Sequence, residues 1–143
     1  MRNKVSASHA ARALVSVAAL FAVAGSAWAE EVKVALTGAE ETPAVATSAS
    51  GTGTFSIASD KSVSGGVKTS GIDGTAVHIH LGAPGEKGPP VITLAKAADG
   101  SWTVPADSKL TDEQYASFKS GNLYVNVHSA DHKPGEIRGQ LKP

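Results

Sequence analysis

The sequence contains no cysteine, and its single methionine is Met1. The absence of cysteine excludes disulfides, thiol catalysis and thiolate metal sites. Because no methionine follows Met1, thioether ligands for Cu(I) are excluded from the rest of the chain as well. Any metal site in this protein must therefore be built without sulfur.

Long hydrophobic runs and basic clusters are also missing. Beyond the N-terminal region, no stretch approaches the roughly 18 consecutive apolar residues that a membrane-spanning helix needs. Acidic and basic residues are interspersed, with no basic patch and no interleaving of basic and aromatic residues. The pattern argues against nucleic acid and anionic membranes as partners.

The N-terminal region has the pattern of a secretory signal peptide. Three basic residues, Arg2, Lys4 and Arg12, precede an apolar segment at 13–24, which ends near the small-residue motif Ala-Trp-Ala at 27–29. We expect cleavage after Ala29, leaving residues 30–143 as one domain in the periplasm or secreted. Since three of the thirteen basic residues leave with the leader and all thirteen acidic residues remain, the exported chain has a net charge near −3.

Most of the exported chain alternates apolar and polar residues with a period of two, which is typical of half-buried strands. About seven or eight such segments are separated by glycine-rich connections, and these predict an all-β, antiparallel β-sandwich. One short helix is expected near 111–120, where Thr111 and Gln114 form a capping box and Gly121 provides a stop.

Two of the predicted strands carry histidines on their polar sides. In segment 77–81, the apolar residues share one face while His78 and His80 share the other. In segment 124–128, two valines point to the core side and His128 lies on the polar side. If the two strands are neighbours, all three imidazoles lie on one face.

Two histidines at positions i and i+2 of a strand stand close enough to bind one metal ion at about 2.0–2.1 Å. His128 would complete a set of three nitrogens. With no sulfur available in an oxidising compartment, we expect Cu(II) first and Zn(II) less readily. His132, in the turn after His128, is interpreted as exposed, with a role as fourth ligand as the alternative.

The polar face also has a purely structural interpretation, in which the imidazoles bond to backbone and to polar neighbours. A third alternating run, 136–141, adds to this face, whose supporting residues are Tyr124, Asn126, Glu136 and Arg138. Arg138 is interpreted as a structural partner of Glu136, two residues earlier on the same face, with an anion anchor as the alternative. No catalytic set is predicted, because Ser129 and His128 are consecutive and point to opposite faces.

Several motifs occur in an order that resembles the CHRD domain, a family named from repeats in chordin and found in many exported bacterial proteins. The motifs are Leu-Thr-Gly-Ala-Glu-Glu-Thr-Pro at 36–43, Gly51 before Phe55, Ala-Val-His-Ile-His-Leu-Gly at 76–82, Gly-Asn-Leu-Tyr-Val-Asn-Val-His at 121–128 and Pro-Gly-Glu-Ile-Arg-Gly-Gln-Leu at 134–141. The resemblance implies an immunoglobulin-like β-sandwich and an extracellular setting, with no general enzymatic activity.

A weaker similarity is to the copper-zinc superoxide dismutases, which also have a strand H-x-H and a later strand histidine. The chain departs from that family in having no bridging histidine after His80, no histidine-rich zinc loop and no disulfide pair. We therefore expect metal binding or handling first, most readily of copper. A metal-free module that binds a protein or glycan, through the polar face or the 82–90 loop, is second, and a dismutase-like enzyme is third.

Overall fold

The computed structural model describes residues 27–143, so residues 1–26 of the predicted leader at 1–29 lie outside the described residues. This part of the chain has nine strands, one α-helix and a 3₁₀ turn at Gly38–Glu40. The strands are β1 Ala29–Thr37, β2 Ser50–Ala58, β3 Val63–Ser70, β4 Gly74–Leu81, β5 Pro90–Thr93, β6 Ala95–Ala98, β7 Ser101–Thr103, β8 Leu123–Ser129 and β9 Ile137–Leu141. The helix, α1, covers Asp112–Lys119. The predicted all-β, antiparallel architecture is confirmed.

The strands form one hydrogen-bonded sheet in the order β5-β4-β8-β9-β1-β2-β3-β7-β6, with every pairing antiparallel. The first and last strands of this order, β5 and β6, are consecutive in the chain and separated only by Leu94. A sheet whose two edges are joined this closely must curl back on itself. The result is a nearly closed sheet with two facing halves and an apolar interior.

The interior is filled by the apolar halves of the alternating segments. In β1, for example, Val32, Val34 and Leu36 are buried while their neighbours are exposed. Packing across the interior brings the two halves into contact: the backbone of Gly74 in β4 lies against Trp102 of β7. The alternation in the sequence therefore identifies the core correctly.

Helix α1 has the predicted ends. The Thr111 side chain accepts a hydrogen bond from the Gln114 backbone N–H, and the Gln114 side chain accepts one from the Thr111 N–H. This reciprocal pair satisfies two of the donors that a helix N-terminus leaves free. Phe118 anchors the helix in the core, where it is fully buried.

Strand β6 is the element that the sequence does not predict. Its four residues, Ala-Lys-Ala-Ala, are all exposed and have low strand propensity. The strand exists because β7 offers a free edge for it to pair with. No helix within residues 27–143 is both long and apolar enough to cross a membrane.

Candidate metal centre

Strands β4 and β8 are neighbours, which places the three strand histidines on one face. In their register His78 lies opposite Asn126, His80 opposite Tyr124 and Ala76 opposite His128. The nitrogen atoms that His78, His80 and His128 could offer to a metal all lie within 4.8 Å of one another. The adjacency that the sequence analysis had to assume is present.

Backbone carbonyl groups determine which nitrogen carries the proton in two of the imidazoles. His80 Nδ1 lies 2.9 Å from the Gly88 carbonyl oxygen, and His128 Nδ1 lies 2.6 Å from that of Lys133. A carbonyl can only accept, so each neutral ring keeps its proton on Nδ1 and has a free lone pair on Nε2. Protein metal sites commonly orient their histidine ligands in this way.

The two free lone pairs have different partners. His128 Nε2 accepts a hydrogen bond of 3.0 Å from His78 Nδ1. His80 Nε2 is buried and has no hydrogen-bond partner in the described part of the chain. Leaving a buried polar atom unpaired costs about 1–3 kcal/mol, so this acceptor needs an explanation.

The surroundings of His78 and His80 favour the neutral form of both imidazoles. Burial lowers the pKa of His78, and His128 and His80 lower it further. Burial also lowers the pKa of His80, an effect that the Gly88 hydrogen bond opposes and His128 reinforces. Neutral imidazole is the form that binds metal ions, so these shifts favour ligation at neutral pH.

The dimensions fit one metal ion after a small adjustment. Two nitrogens that bind one ion at about 2.0–2.1 Å are at most about 4.2 Å apart. The widest pair is up to 4.8 Å apart, so its two nitrogens must approach each other by at least several tenths of an ångström to bind one ion. An ion between His78 and His128 would replace the proton that they share.

Loops cover part of the polar face, whereas the sequence analysis predicted a solvent-facing surface. The loop at 82–89 lies over one end of it: Tyr124 stacks on His80 with ring centroids 4.8 Å apart, and the Gly88 N–H donates to the Tyr124 hydroxyl. Gly88 is needed here, because a Cβ atom would collide with the Leu81 carbonyl. Tyr124 is buried beneath this loop and Asn126 is buried beside Glu41 and Pro134, whereas His78 and His128 remain partly exposed.

Arg138 belongs to this cover and does not pair with Glu136 as expected. Its guanidinium donates to the carbonyl oxygens of Glu86 and Ala83 at 2.6 and 3.0 Å and stacks 3.5 Å from the centre of the Tyr124 ring. Glu136 precedes β9, and its carboxylate turns instead towards Ser129 and His132. Arg138 therefore anchors the 82–89 loop to the sheet. Its role is structural, as expected, but its partners are the loop carbonyls and not Glu136.

His132 is not brought into the cluster. It lies in the turn between β8 and β9, half-buried, with Nε2 3.6 Å from a Glu136 carboxylate oxygen. Of the four histidines among residues 27–143, three converge and one does not, and this difference provides a matched control.

Glu41 is a residue of this face that the sequence analysis did not identify. It follows the 3₁₀ turn, is 8% exposed, and accepts a hydrogen bond from the Asn126 side chain at 3.3 Å. Burial raises its pKa, although hydrogen bonds from Asn126 and Thr42 and the charge of Arg138 oppose this. Its position in the 36–43 motif was the one sequence feature that pointed to Glu41. Strand periodicity could not place its side chain, because the alternating pattern ends before this residue.

Comparison with known protein families gives one match: the family model for the CHRD domain matches residues 32–141. The chain belongs to the CHRD family. The match runs from within β1 to the end of β9 and includes all three clustered histidines. Searches of curated proteins and of solved structures gave no significant match.

The second interpretation was a metal-free module that binds a partner through the 82–90 loop. The surface of that loop offers it little support. Pro84, Pro89 and Pro90 are exposed as that interpretation requires. However, the only large hydrophobic side chain exposed among residues 27–143 is Trp28, before β1. An apolar docking patch at the 82–90 loop would need more than three prolines.

Proposed function

We propose that this CHRD protein binds one divalent metal ion, Cu(II) in preference to Zn(II), through His78, His80 and His128. The signal-peptide pattern supports action in the periplasm or outside the cell, where the role would be metal binding, storage or delivery. Without sulfur ligands, the three imidazoles suit these two ions, and Cu(II) leads the affinity order.

The buried His80 Nε2 carries this proposal. The Gly88 carbonyl holds the proton of this imidazole on Nδ1, and residues 27–143 offer no donor to the lone pair on Nε2. Two further imidazole nitrogens lie within 4.8 Å. A purely structural histidine face would be expected to pair this atom. A metal ion supplies the missing partner.

The partial exposure of His78 and His128 supports exchange of the ion with solvent or a partner. A fully closed site would suit a permanent structural metal. The proposal does not include catalytic turnover, and dismutase activity would have to exceed that of free copper under the same conditions.

The test is a titration of the tag-free protein starting at Glu30 with Cu(II) and with Zn(II). The proposal predicts one tight site, lost in the variant His78→Ala/His80→Ala and retained in His132→Ala. The His132 variant controls for nonspecific binding to an imidazole outside the cluster. Equal, weak binding by all three proteins would contradict the proposal and direct attention to protein or glycan partners.

A further inference from the structure

Asn126 lies at the centre of the polar face, between His78 on β4 and Arg138 on β9. It is only 2% exposed. Buried amides normally use both their donor and acceptor atoms. Asn126 does not.

The orientation of the Asn126 amide is determined by its partners. Nδ2 donates to Glu41 Oε1 at 3.3 Å and to the Pro134 carbonyl oxygen at 3.4 Å. Because a carbonyl can only accept, the NH₂ group must face this side and Oδ1 must face away from it. Gly135, with φ +134°, permits the approach, since a Cβ atom there would lie 2.3 Å from Glu41 Oε1.

The Asn126 Oδ1 atom, which faces away from Glu41, is buried and has no hydrogen-bond donor among the described residues. The same is true of His80 Nε2. The strand register places Asn126 directly opposite His78 and diagonal to His80, with all three side chains on the same face. Neutral His80 has already placed its only proton against Gly88. Two buried acceptors on neighbouring strands therefore lack a hydrogen-bond donor or a cation.

We propose that Asn126 Oδ1 is the oxygen donor that completes the histidine site for a divalent ion, and that Glu41 is the positioning residue that aims it. This inference rests on the proposed function. A set of three nitrogens and one oxygen suits Cu(II) and Zn(II), whereas Cu(I) prefers softer ligands. Asn126 thus gives the site a preference for the divalent state.

The first test compares Asn126→Leu, which keeps the side-chain size but removes the oxygen, with the unchanged protein. We expect a loss of about 10- to 100-fold in affinity for Cu(II) and Zn(II), a smaller loss for Cu(I), and a changed Cu(II) electron paramagnetic resonance spectrum. Ser129→Ala is the matched control: it alters a buried, hydrogen-bonded side chain of the same strand and should leave all three readouts unchanged.

Glu41 is tested by Glu41→Ala and Glu41→Gln. Removing the acceptor frees the amide to turn, so Glu41→Ala should weaken divalent binding several-fold. Glu41→Gln retains an oxygen for Asn126 Nδ2 and should restore most of the affinity. Equal effects of both variants would contradict the positioning role.

A measurement on the unchanged protein covers the case in which Asn126→Leu does not fold. Zn(II) is added to isotope-labelled protein while the Asn126 side-chain amide is followed by NMR. A shift that saturates at one equivalent supports the proposal, and an unshifted amide overturns it. If His78→Ala/His80→Ala abolishes binding while Asn126→Leu leaves affinity and spectrum unchanged, this inference fails and the proposed function stands. If the unchanged protein binds no metal, the proposed function fails as well.

Discussion

The two faces of strands β4 and β8 have opposite characters. On the inner face, Val77, Ile79, Val125 and Val127 are at most 1% exposed and contribute only apolar packing. On the outer face, the same strands carry histidines and an asparagine whose buried atoms are incompletely paired. The same two strands therefore serve two purposes: their inner face stabilises the fold, and their outer face holds the candidate site.

The largest expected effect on stability comes from Ile79→Ala, which lies on the inner face between the two histidines of β4. Truncating this buried side chain should lower the free energy of unfolding by about 2–5 kcal/mol, measured by urea denaturation. Metal affinity of the folded protein should change little. A large loss of affinity in a fully folded variant would show that the two faces are not independent.

Arg138→Ala is expected to cost about 2–3 kcal/mol, because the carbonyls of Ala83 and Glu86 lose a buried charged donor. The loop at 82–89 should then exchange its amide hydrogens faster. Arg138→Lys should rescue little, since an ammonium group cannot reproduce the planar stacking on Tyr124. Unchanged exchange in this loop would contradict the role assigned to Arg138.

Thr111→Ala addresses a region remote from both faces. Loss of the capping box should cost about 1 kcal/mol in thermal or urea unfolding. The three-histidine site should keep its metal affinity. If Cu(II) binding weakened in this variant, the site would depend on global stability rather than on the polar face.

The smallest expected effect is the pH dependence of stability in the metal-free protein. Burial lowers the pKa of His78 and His80 below the ordinary 6.5, so the unfolded chain binds protons more readily than the folded one. Their contribution is fully present above pH 6.5 and is lost as the pH falls towards the folded-state values.

Urea unfolding at a series of pH values measures this effect, and His78→Ala/His80→Ala should flatten the curve below pH 6.5. Glu41 acts in the opposite direction, since its raised pKa costs stability as the pH rises above 4.5. An unflattened curve in the double variant would show that other groups cause the pH dependence.

The sequence predicted the features that depend on strand periodicity and on local capping. Alternation alone placed His78 and His80 on one face of β4 and Val77 and Ile79 on the other. The capping box of Thr111 and Gln114 located the start of the helix. These succeed because each depends on residues only a few positions apart.

The cover of the polar face could not be predicted, because it depends on distant segments. Glu41 meets Asn126 across 85 residues, and Arg138 meets Glu86 across 52. Glu136 was the nearer partner for Arg138 in sequence, but the loop carbonyls are nearer in space. The orphaned acceptors on His80 and Asn126 are likewise visible only once the loops are in place.

The most direct test of the central claim is a crystal of the Cu(II)-loaded protein, with anomalous diffraction collected at the copper absorption edge. We expect one anomalous peak, bounded by His78, His80 and His128. A peak elsewhere, at His132 or the N-terminus, with the three imidazoles unchanged, would contradict it.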